Sequence, residues 1–473
     1  MKRMKRKIGI RLGSKIIVSD LPSDLKSLIV NKLRFPNPVF IAARSAGRST
    51  WGVKEHLTTF EVDKHGNFLL PRGIRTWLES MCDELDIEYT LVDERTIKDF
   101  VSVNSATVNL RPYQSEAVTH LISTAPEGVL VSPAGSGKTI MGLSLLPILG
   151  QPTLWLTHTN PLMKQTTERA LGMFSDIGQI GVIGDSKWKI GDMLTIAMIQ
   201  TLVRNPARAS EIKNEFGMVI VDECHRSPSR TFTEVIGMFN PYYLYGLTAT
   251  PYRRDKLDQL IFTALGEDKT VIDIDTVKDY GSIMIPKILY KAVYSKKYDD
   301  NDIHNILRTL SENMKRNHII VGDVVREALA GNYCIVISDR RSHCEALFNL
   351  ISMAWPKTGI ATGNYSKKYV TDQVERFNNK EITVLVTTAS LLGEGFDVPF
   401  LNRGFITMPF RGRTKTVQIV GRIQRSHPSK TDAVIYDYVD VNIGVIKNQF
   451  YSQHGECRFN TYKKLGAIVE PYS

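Results

Sequence analysis

Ser132-Pro-Ala-Gly-Ser-Gly-Lys-Thr139 decides how the rest of the chain is read. The apolar run Gly128-Val-Leu-Val131 before it reads as a buried strand, and Ile140-Met-Gly-Leu-Ser-Leu-Leu146 after it reads as a helix. Strand, glycine loop, Lys-Thr and helix are the setting that a phosphate-binding loop requires. Gly135 and Gly137, either side of Ser136, let the backbone turn its N–H groups inward where a Cβ would intrude. The helix start adds the positive end of its dipole. Lys138 can reach the β- and γ-phosphates of a nucleotide, and the Thr139 hydroxyl can ligate Mg²⁺. The strict pattern has Gly where Ser132 stands.

A chain of 473 residues has room for about two to four domains. With 42% hydrophobic and 23% charged residues it reads as an ordinary globular protein. The formal net charge of +11 favours a polyanionic partner, modestly. No apolar run has the length to span a bilayer. The basic start Met1-Lys-Arg-Met-Lys-Arg-Lys7 lacks a following apolar stretch, so it does not read as a secretory signal. Cys82, Cys224, Cys334, Cys344 and Cys457 form no C-x₂-C pair. A zinc site is therefore not expected, and a reducing, cytoplasmic location is.

Outward from the loop, the chain from about residue 106 alternates short apolar strands with longer periodic segments. Val129–Val131, Thr153–Leu156, Leu194–Ala197, Met218–Val221 and Tyr243–Gly246 read as buried strands, which implies a parallel α/β sheet. Nucleotide sites in such sheets lie at the strand C-terminal ends, where the loop falls. A second series follows a mostly helical stretch, Asp299 to Leu329, with strands at Cys334–Ile337, Gly359–Ala361, Ile382–Val386, Arg403–Ile406 and Ala433–Tyr436. It has no phosphate loop of its own. The joint is expected near Tyr280 to Tyr298, where Gly281, Pro286 and a Lys/Tyr-rich stretch break the pattern. The expected domains are 1–105, 106–285 and 286–445, with a short peripheral tail over 446–473.

Residues 1–105 read as a small α+β accessory domain. Strands are expected around Ile8, Ile10, Leu12 and Lys15–Val18, helices over Pro22–Leu33 and Gly73–Leu85, and a hairpin turn at Lys64-His-Gly66. Arg44, Arg48, Lys54, Arg72 and Arg75, near Trp51 and Trp77, could hold phosphates and stack bases; equally, they could be a solvated face over a core that uses the tryptophans.

Met218-Val-Ile-Val-Asp222-Glu223-Cys224-His225 is the second strong signal. An apolar strand delivers two adjacent carboxylates at its end, Asp222 placed to hold Mg²⁺ and Glu223 to polarise an attacking water. Arg422 and Arg425 are three residues apart, which on a helix puts both guanidinium groups on one face. Such a pair can neutralise charge developing on a γ-phosphate.

Together these stretches resemble the superfamily 2 helicases and translocases, whose motif series is present in order over roughly residues 106–440. The resemblance implies two tandem RecA-like domains and ATP with Mg²⁺ as cofactors. Leu110-Arg-Pro-Tyr-Gln114 is similar to the segment that reads adenine, so Arg111 and Gln114 are implied at the nucleotide. Leu154-Trp-Leu-Thr-His-Thr-Asn-Pro-Leu162 through Gln165, and Thr195-Ile-Ala-Met-Ile-Gln-Thr-Leu202, resemble the motifs that touch the nucleic-acid backbone. They imply Thr157, Gln165 and Thr201. Leu247-Thr-Ala-Thr-Pro-Tyr-Arg253 resembles the coupling motif, implying Thr248 and Thr250 with His225, and Arg253 on nucleic acid. Val384-Leu-Val-Thr-Thr-Ala-Ser-Leu-Leu-Gly-Glu-Gly395-Phe-Asp397-Val-Pro resembles the second lobe's motif. It implies Thr387 and Thr388 on nucleic acid and Gly395 and Asp397 on the nucleotide. Gln418-Ile-Val-Gly421-Arg422-Ile-Gln-Arg425 resembles the arginine-finger motif, implying Gln418, Arg422 and Arg425 in catalysis.

The forms of these motifs are unlike those of DEAD-box RNA helicases and similar to the DNA-directed branch that includes UvsW-type, XPB-like and restriction-enzyme members. A compact core behind a small basic domain is most similar to the UvsW type. The resemblance implies an ATP-dependent DNA helicase on forks and junctions, in the host cytoplasm if phage-encoded. The alternatives are a duplex translocase that separates no strands, and an RNA helicase. ATP would be complete only where both lobes meet, so that binding closes them and hydrolysis lets them part.

Overall fold

The computed structural model describes residues 6–104, 109–226, 229–249, 258–294, 302–393, 398–410, 413–440 and 457–472. They form two compact units, one of Met1–Ser132 with Gly137–Ile272, the other of Asp273–Ser473 with Pro133–Ser136.

The first unit begins with a five-stranded sheet. Its strands are β1 (Arg6–Leu12) and β2 (Ile16–Ser19), then β5 (Glu61–Val62), β6 (Phe68–Leu70) and β7 (Ile87–Asp93), in the order β5-β6-β2-β1-β7. Between β2 and β5 a separate ribbon pairs β3 (Arg34–Pro36) with β4 (His56–Thr58). The alternation of Ile8, Ile10 and Leu12 sends one face of β1 inward. Leu25 and Ile29 from the helix Ser23–Lys32, and Leu78 and Cys82 from the helix Arg75–Glu84, cover that face.

This accessory sheet belongs to the same compact unit as the first nucleotide-binding lobe. One point of the join is a buried carboxylate, Glu127. Arg75 Nε donates to its Oε1 at 2.5 Å, Arg95 Nη1 to its Oε2 at 3.2 Å, and Arg72 Nη2 lies 3.5 Å from Oε2. Arg72 also donates to the carbonyls of Pro241 and Tyr242. Arg72 and Arg75 are thus spent on structure, which corrects the reading of them as phosphate contacts. Trp77 packs against the accessory core with the Lys32 ammonium over its ring.

The first lobe's sheet comprises β8 (Glu127–Val131), β9 (Thr153–Thr157), β10 (Gly181–Gly184), β11 (Lys187–Lys189), β12 (Leu194–Met198), β13 (Met218–Asp222), β14 (Tyr243–Thr248) and β15 (Lys269–Val271). Their order is β11-β10-β12-β9-β13-β14-β8-β15. All pairs are parallel except β10–β11, a hairpin whose turn residues Asp185 and Ser186 have φ of +49° and +62°. Every residue of β8, β9 and β13 is buried, as a parallel sheet covered on both faces requires.

The second unit holds a seven-stranded, all-parallel sheet of β16 (Lys287–Val293), β17 (Cys334–Ile337), β18 (Thr358–Ala361), β19 (Val384–Thr387), β20 (Arg403–Ile406), β21 (Val434–Asp440) and β22 (Ile468–Tyr472). Their order is β18-β19-β17-β20-β21-β16-β22. Two expectations are corrected here. The stretch read as a joint contains β16, which pairs with β21 and β22, and the division between units falls after Ile272. The tail is not peripheral. Buried Arg458 donates to both oxygens of buried Asp437 at 2.8 Å, the Tyr462 hydroxyl donates to the same carboxylate at 2.8 Å, and β22 completes the sheet. No described helix is long and apolar enough to cross a membrane.

Candidate nucleotide site

β8 ends at Val131, and the loop turns from there into the helix Lys138–Leu149. Gly135 and Gly137 both have φ of +89°, a backbone region that L side chains rarely adopt. A Cβ on Gly137 would also stand 2.5 Å from Gln114 Nε2, so the glutamine side chain lies against the loop. Gln114 is buried and its Oε1 accepts from the Arg111 N–H at 2.9 Å, closing a capping box at the start of the helix Pro112–Thr124. Lys138 Nζ donates to the Ser132 carbonyl at 3.2 Å, and Ser132 N–H donates to the Thr248 carbonyl at 2.9 Å. Ser136 is buried and Thr139 half-buried.

β13 delivers Asp222 to the same C-terminal edge. Burial, then the adjacent Glu223 charge, push Asp222 up to about 7, while the Lys138 charge pulls it down. Glu223 has φ of +48°, a left-handed conformation that costs on the order of 1–3 kcal/mol for a side-chain-bearing residue. That turn brings its Oε2 3.2 Å from His225 Nδ1, which also lies 2.9 Å from Thr248 Oγ1. β13 and β14 are paired neighbours, with Asp222 opposite Leu247, so His225 bridges the ends of two adjacent strands. Cys224 packs in the core of the lobe, and burial holds its thiol protonated.

The structure therefore gathers Arg111, Gln114, Gly137, Lys138, Asp222, Glu223, His225 and Thr248 around one edge of the first lobe. Gln418, Arg422 and Arg425 lie on or just after the helix Arg413–Ile423 of the second unit, all half-buried. Gln165 and Thr201 are half-buried in the first unit. Thr157 is fully buried at the end of β9, and Thr387 nearly so at the end of β19. Both pack as β-branched residues at the ends of fully buried strands. Thr388 Oγ1 lies 3.0 Å from Ser390 Oγ. Thr250, Arg253, Gly395 and Asp397 lie outside the described residues.

Two residues at these sites carry no motif signal. Arg169, on the helix Asn160–Met173, lies close enough for its charge to pull Asp222 down, and burial lowers its own pKa. Lys430 Nζ donates to the carbonyls of Ile423 at 2.5 Å and Arg425 at 2.7 Å, capping the helix that carries Gln418 and Arg422. Burial pushes this ammonium down to about 8.

A glycine loop at a strand end, a Lys-Thr helix start and a strand-end Asp-Glu pair define a P-loop nucleoside triphosphatase with two parallel-sheet lobes. Residues 107–253 match the family described as Type III restriction enzyme, res subunit, and residues 316–427 match the helicase conserved C-terminal domain. The chain belongs to the superfamily 2 helicases and resembles their UvsW-type members. It is 22% identical over 406 residues to the ATP-dependent DNA helicase uvsW of Enterobacteria phage T4, covering 79% of this chain and 80% of that protein. It is 23% identical over 380 residues to the putative ATP-dependent RNA helicase L396 of Acanthamoeba polyphaga mimivirus, covering 77% and 70%. Among solved structures, a fragment of a putative HsdR subunit of a type I restriction enzyme from Vibrio vulnificus YJ016 superposes with a TM-score of 0.56 at 18% identity. That match covers 78% of this chain and 69% of the other, and the likeness is one of fold.

Proposed function

We propose that this protein is an ATP- and Mg²⁺-dependent DNA helicase that unwinds or remodels forked and branched DNA. The observation that carries the reading is the Lys138 loop standing beside buried Asp222 and its half-buried neighbour Glu223. Two carboxylates, one desolvated, suit a hard divalent cation. Mg²⁺ in such sites is held by one or two protein ligands and fills its shell with phosphate and water. Thr139 and Asp222 would hold it, and it would offset charge on the phosphates.

Lys138 binds the phosphates, Glu223 orients the attacking water, and Gln114 with Arg111 meets the base. His225 and Thr248 pass the state of the site from one strand end to the next. Arg422, Arg425 and Gln418 serve the same nucleotide from the second lobe. The γ-phosphate is what differs between the ATP and ADP states, so its contacts drive the lobes together and its loss lets them part. Residues 1–105 act as the accessory DNA-binding element, and Gln165, Thr201 and Thr388 lie on the path of the strand.

The net charge of +11 suits a polyanion of either kind, and the resemblance to the DNA helicase uvsW favours DNA. Lys138→Ala is expected to cut DNA-stimulated ATP hydrolysis by at least about a hundredfold. Hydrolysis at the wild-type rate would refute the site. Stimulation by forked DNA over RNA of the same sequence tests the polymer; an RNA preference would overturn that part. A 25% identity over 384 residues to the DNA 3'-5' translocase XPB2 of Sulfurisphaera tokodaii favours a second reading, a duplex translocase that separates no strands. Release of a labelled strand from a fork decides between the two.

A further inference from the structure

Residues 34–58 leave the accessory sheet in an excursion that nucleotide chemistry does not use. β3 and β4 pair antiparallel, Arg34 opposite Thr58 and Pro36 opposite His56, with the helix Pro38–Ser45 and a loop between them. The root is fixed. Phe35 is buried and packs with Leu57 and Leu260. Buried Asn37 accepts the Val39 N–H at 3.0 Å, donates Nδ2 to the Lys54 carbonyl at 2.7 Å and donates its own N–H to the Glu55 carbonyl at 2.9 Å.

The tip is the opposite. A surface helix ordinarily buries one apolar stripe, and this helix buries no residue. Trp51 is 94% exposed. The other four tryptophans are committed: Trp155 is buried, Trp77 and Trp188 lie under Lys32 and Arg208, and Trp355 Nε1 donates to Thr383 at 2.7 Å. Between positions 34 and 58 the exposed cations are Arg34, at the root beside His56, and Arg44, Arg48 and Lys54 further out, and Glu55 is the one acidic residue.

The root also fixes where the arm stands. Leu260 is in the first turn of the helix Gln259–Leu265, and Gly266, just past its far end, lies against the Glu127 backbone at the start of β8. That helix runs back along β8, so Leu260 lies toward the strand C-terminal end, about 10 Å up the lobe. This is the edge that carries the phosphate loop and Asp222.

We propose that the arm reads a nucleic-acid branch: Trp51 stacks on an unpaired base at a single-strand–duplex boundary, and Arg44, Arg48 and Lys54 hold the flanking phosphates. A flat ring with open faces takes any base, because every base has a π-face. The four-to-one excess of cations matches a polyanion. The inference rests on the nucleic-acid reading of the proposed function.

The test uses the full chain with Trp51→Ala and Trp51→Phe. The probes are a fork carrying 2-aminopurine at its first unpaired position and a blunt duplex of the same sequence. Trp51→Ala is expected to weaken fork binding about ten- to a hundredfold relative to the duplex and to abolish the 2-aminopurine quenching seen with wild type. Trp51→Phe should retain most of both, and the variants should melt at the wild-type temperature. A fork-to-duplex affinity ratio equal to wild type would overturn the proposal, as would an equal loss on both probes. Failure of any DNA to stimulate wild-type ATP hydrolysis would instead fell the proposed function; an unaltered ratio in a DNA-stimulated enzyme fells the arm alone.

Discussion

Glu127→Ala removes the acceptor shared by three arginines. Arg95 would keep Asp93, at 2.7 Å and 2.8 Å, and Arg75 would keep Glu79, at 3.0 Å and 3.1 Å. Arg72 would keep only the carbonyls of Pro241 and Tyr242, at 2% exposure. Burial already drags this guanidinium down to about 10 even with Glu127 beside it. One uncompensated buried charge costs about 3–5 kcal/mol, and the surviving carbonyl bonds argue for the lower end, roughly 3 kcal/mol. In a unit of this size each kcal/mol moves Tm by about 2–4 °C, so the first unit should melt some ~6–12 °C lower. Glu127→Gln keeps the shape and one acceptor and should fall between. The assay is thermal unfolding followed by limited proteolysis, which separates the two units. An alanine variant melting within about 1 °C of wild type would show that the arginines are solvated in solution and that the join rests on its other contacts.

His343 accounts for an acid sensitivity of the second unit. Burial, then the Arg316 and Arg340 charges, hold its pKa at about 3. Its ring bonds Ser338 and Asn317, each at 3.0 Å. The unfolded chain takes up the proton first, so this stability is intact above about pH 6.5 and drains as pH falls toward 3, with about 2 kcal/mol gone at pH 5. Urea midpoints at pH 7.5 and pH 5 measure it, and an undiminished decline in His343→Gln would refute the assignment. In the tail, Arg458→Met leaves Asp437 buried and should cost about 3 kcal/mol, against about 2 kcal/mol for Tyr462→Phe. Protease protection of the final strand reports both, and tails as resistant as wild type would count against the pairing.

The strands legible in the sequence are those buried on both faces, where a parallel sheet writes an unbroken apolar run. β11 and β15 are short edges, β10 is a four-residue strand beside one of them, and β16 mixes Lys and Tyr with aliphatics because much of it is half-exposed. The phosphate loop was legible for a different reason: its function is local, so the whole of it lies in eight consecutive residues. Arg169 and Lys430 act on groups brought near by folding and leave no local signal. Arg72 and Arg48 are indistinguishable as letters. One is buried on a carboxylate 55 positions away and the other faces solvent, and only the tertiary fold separates them.

The segment that joins the accessory sheet to the first lobe is stitched down along its length. Glu94 N–H donates to the Leu12 carbonyl at 2.8 Å; Thr96 N–H donates to the Asn240 carbonyl and its own carbonyl accepts from Tyr242. Gln151 exchanges two bonds with the Lys98 backbone, at 2.8 Å and 2.9 Å, and Asn104 bonds Asp176 twice at 2.7 Å. Glu127, which three arginines of residues 72–95 grip, opens the strand that ends at the nucleotide loop. A tether fixed at so many points has little freedom to swing, so the Trp51 arm travels with β8 and the sheet of its own unit. It follows that a chain beginning near Val103 is a poor probe of branch recognition. Its Glu127 would be stripped of every arginine and Leu260 uncovered, and lost selectivity would then be inseparable from lost stability. Substitution at the arm's tip, where almost nothing is buried, separates them.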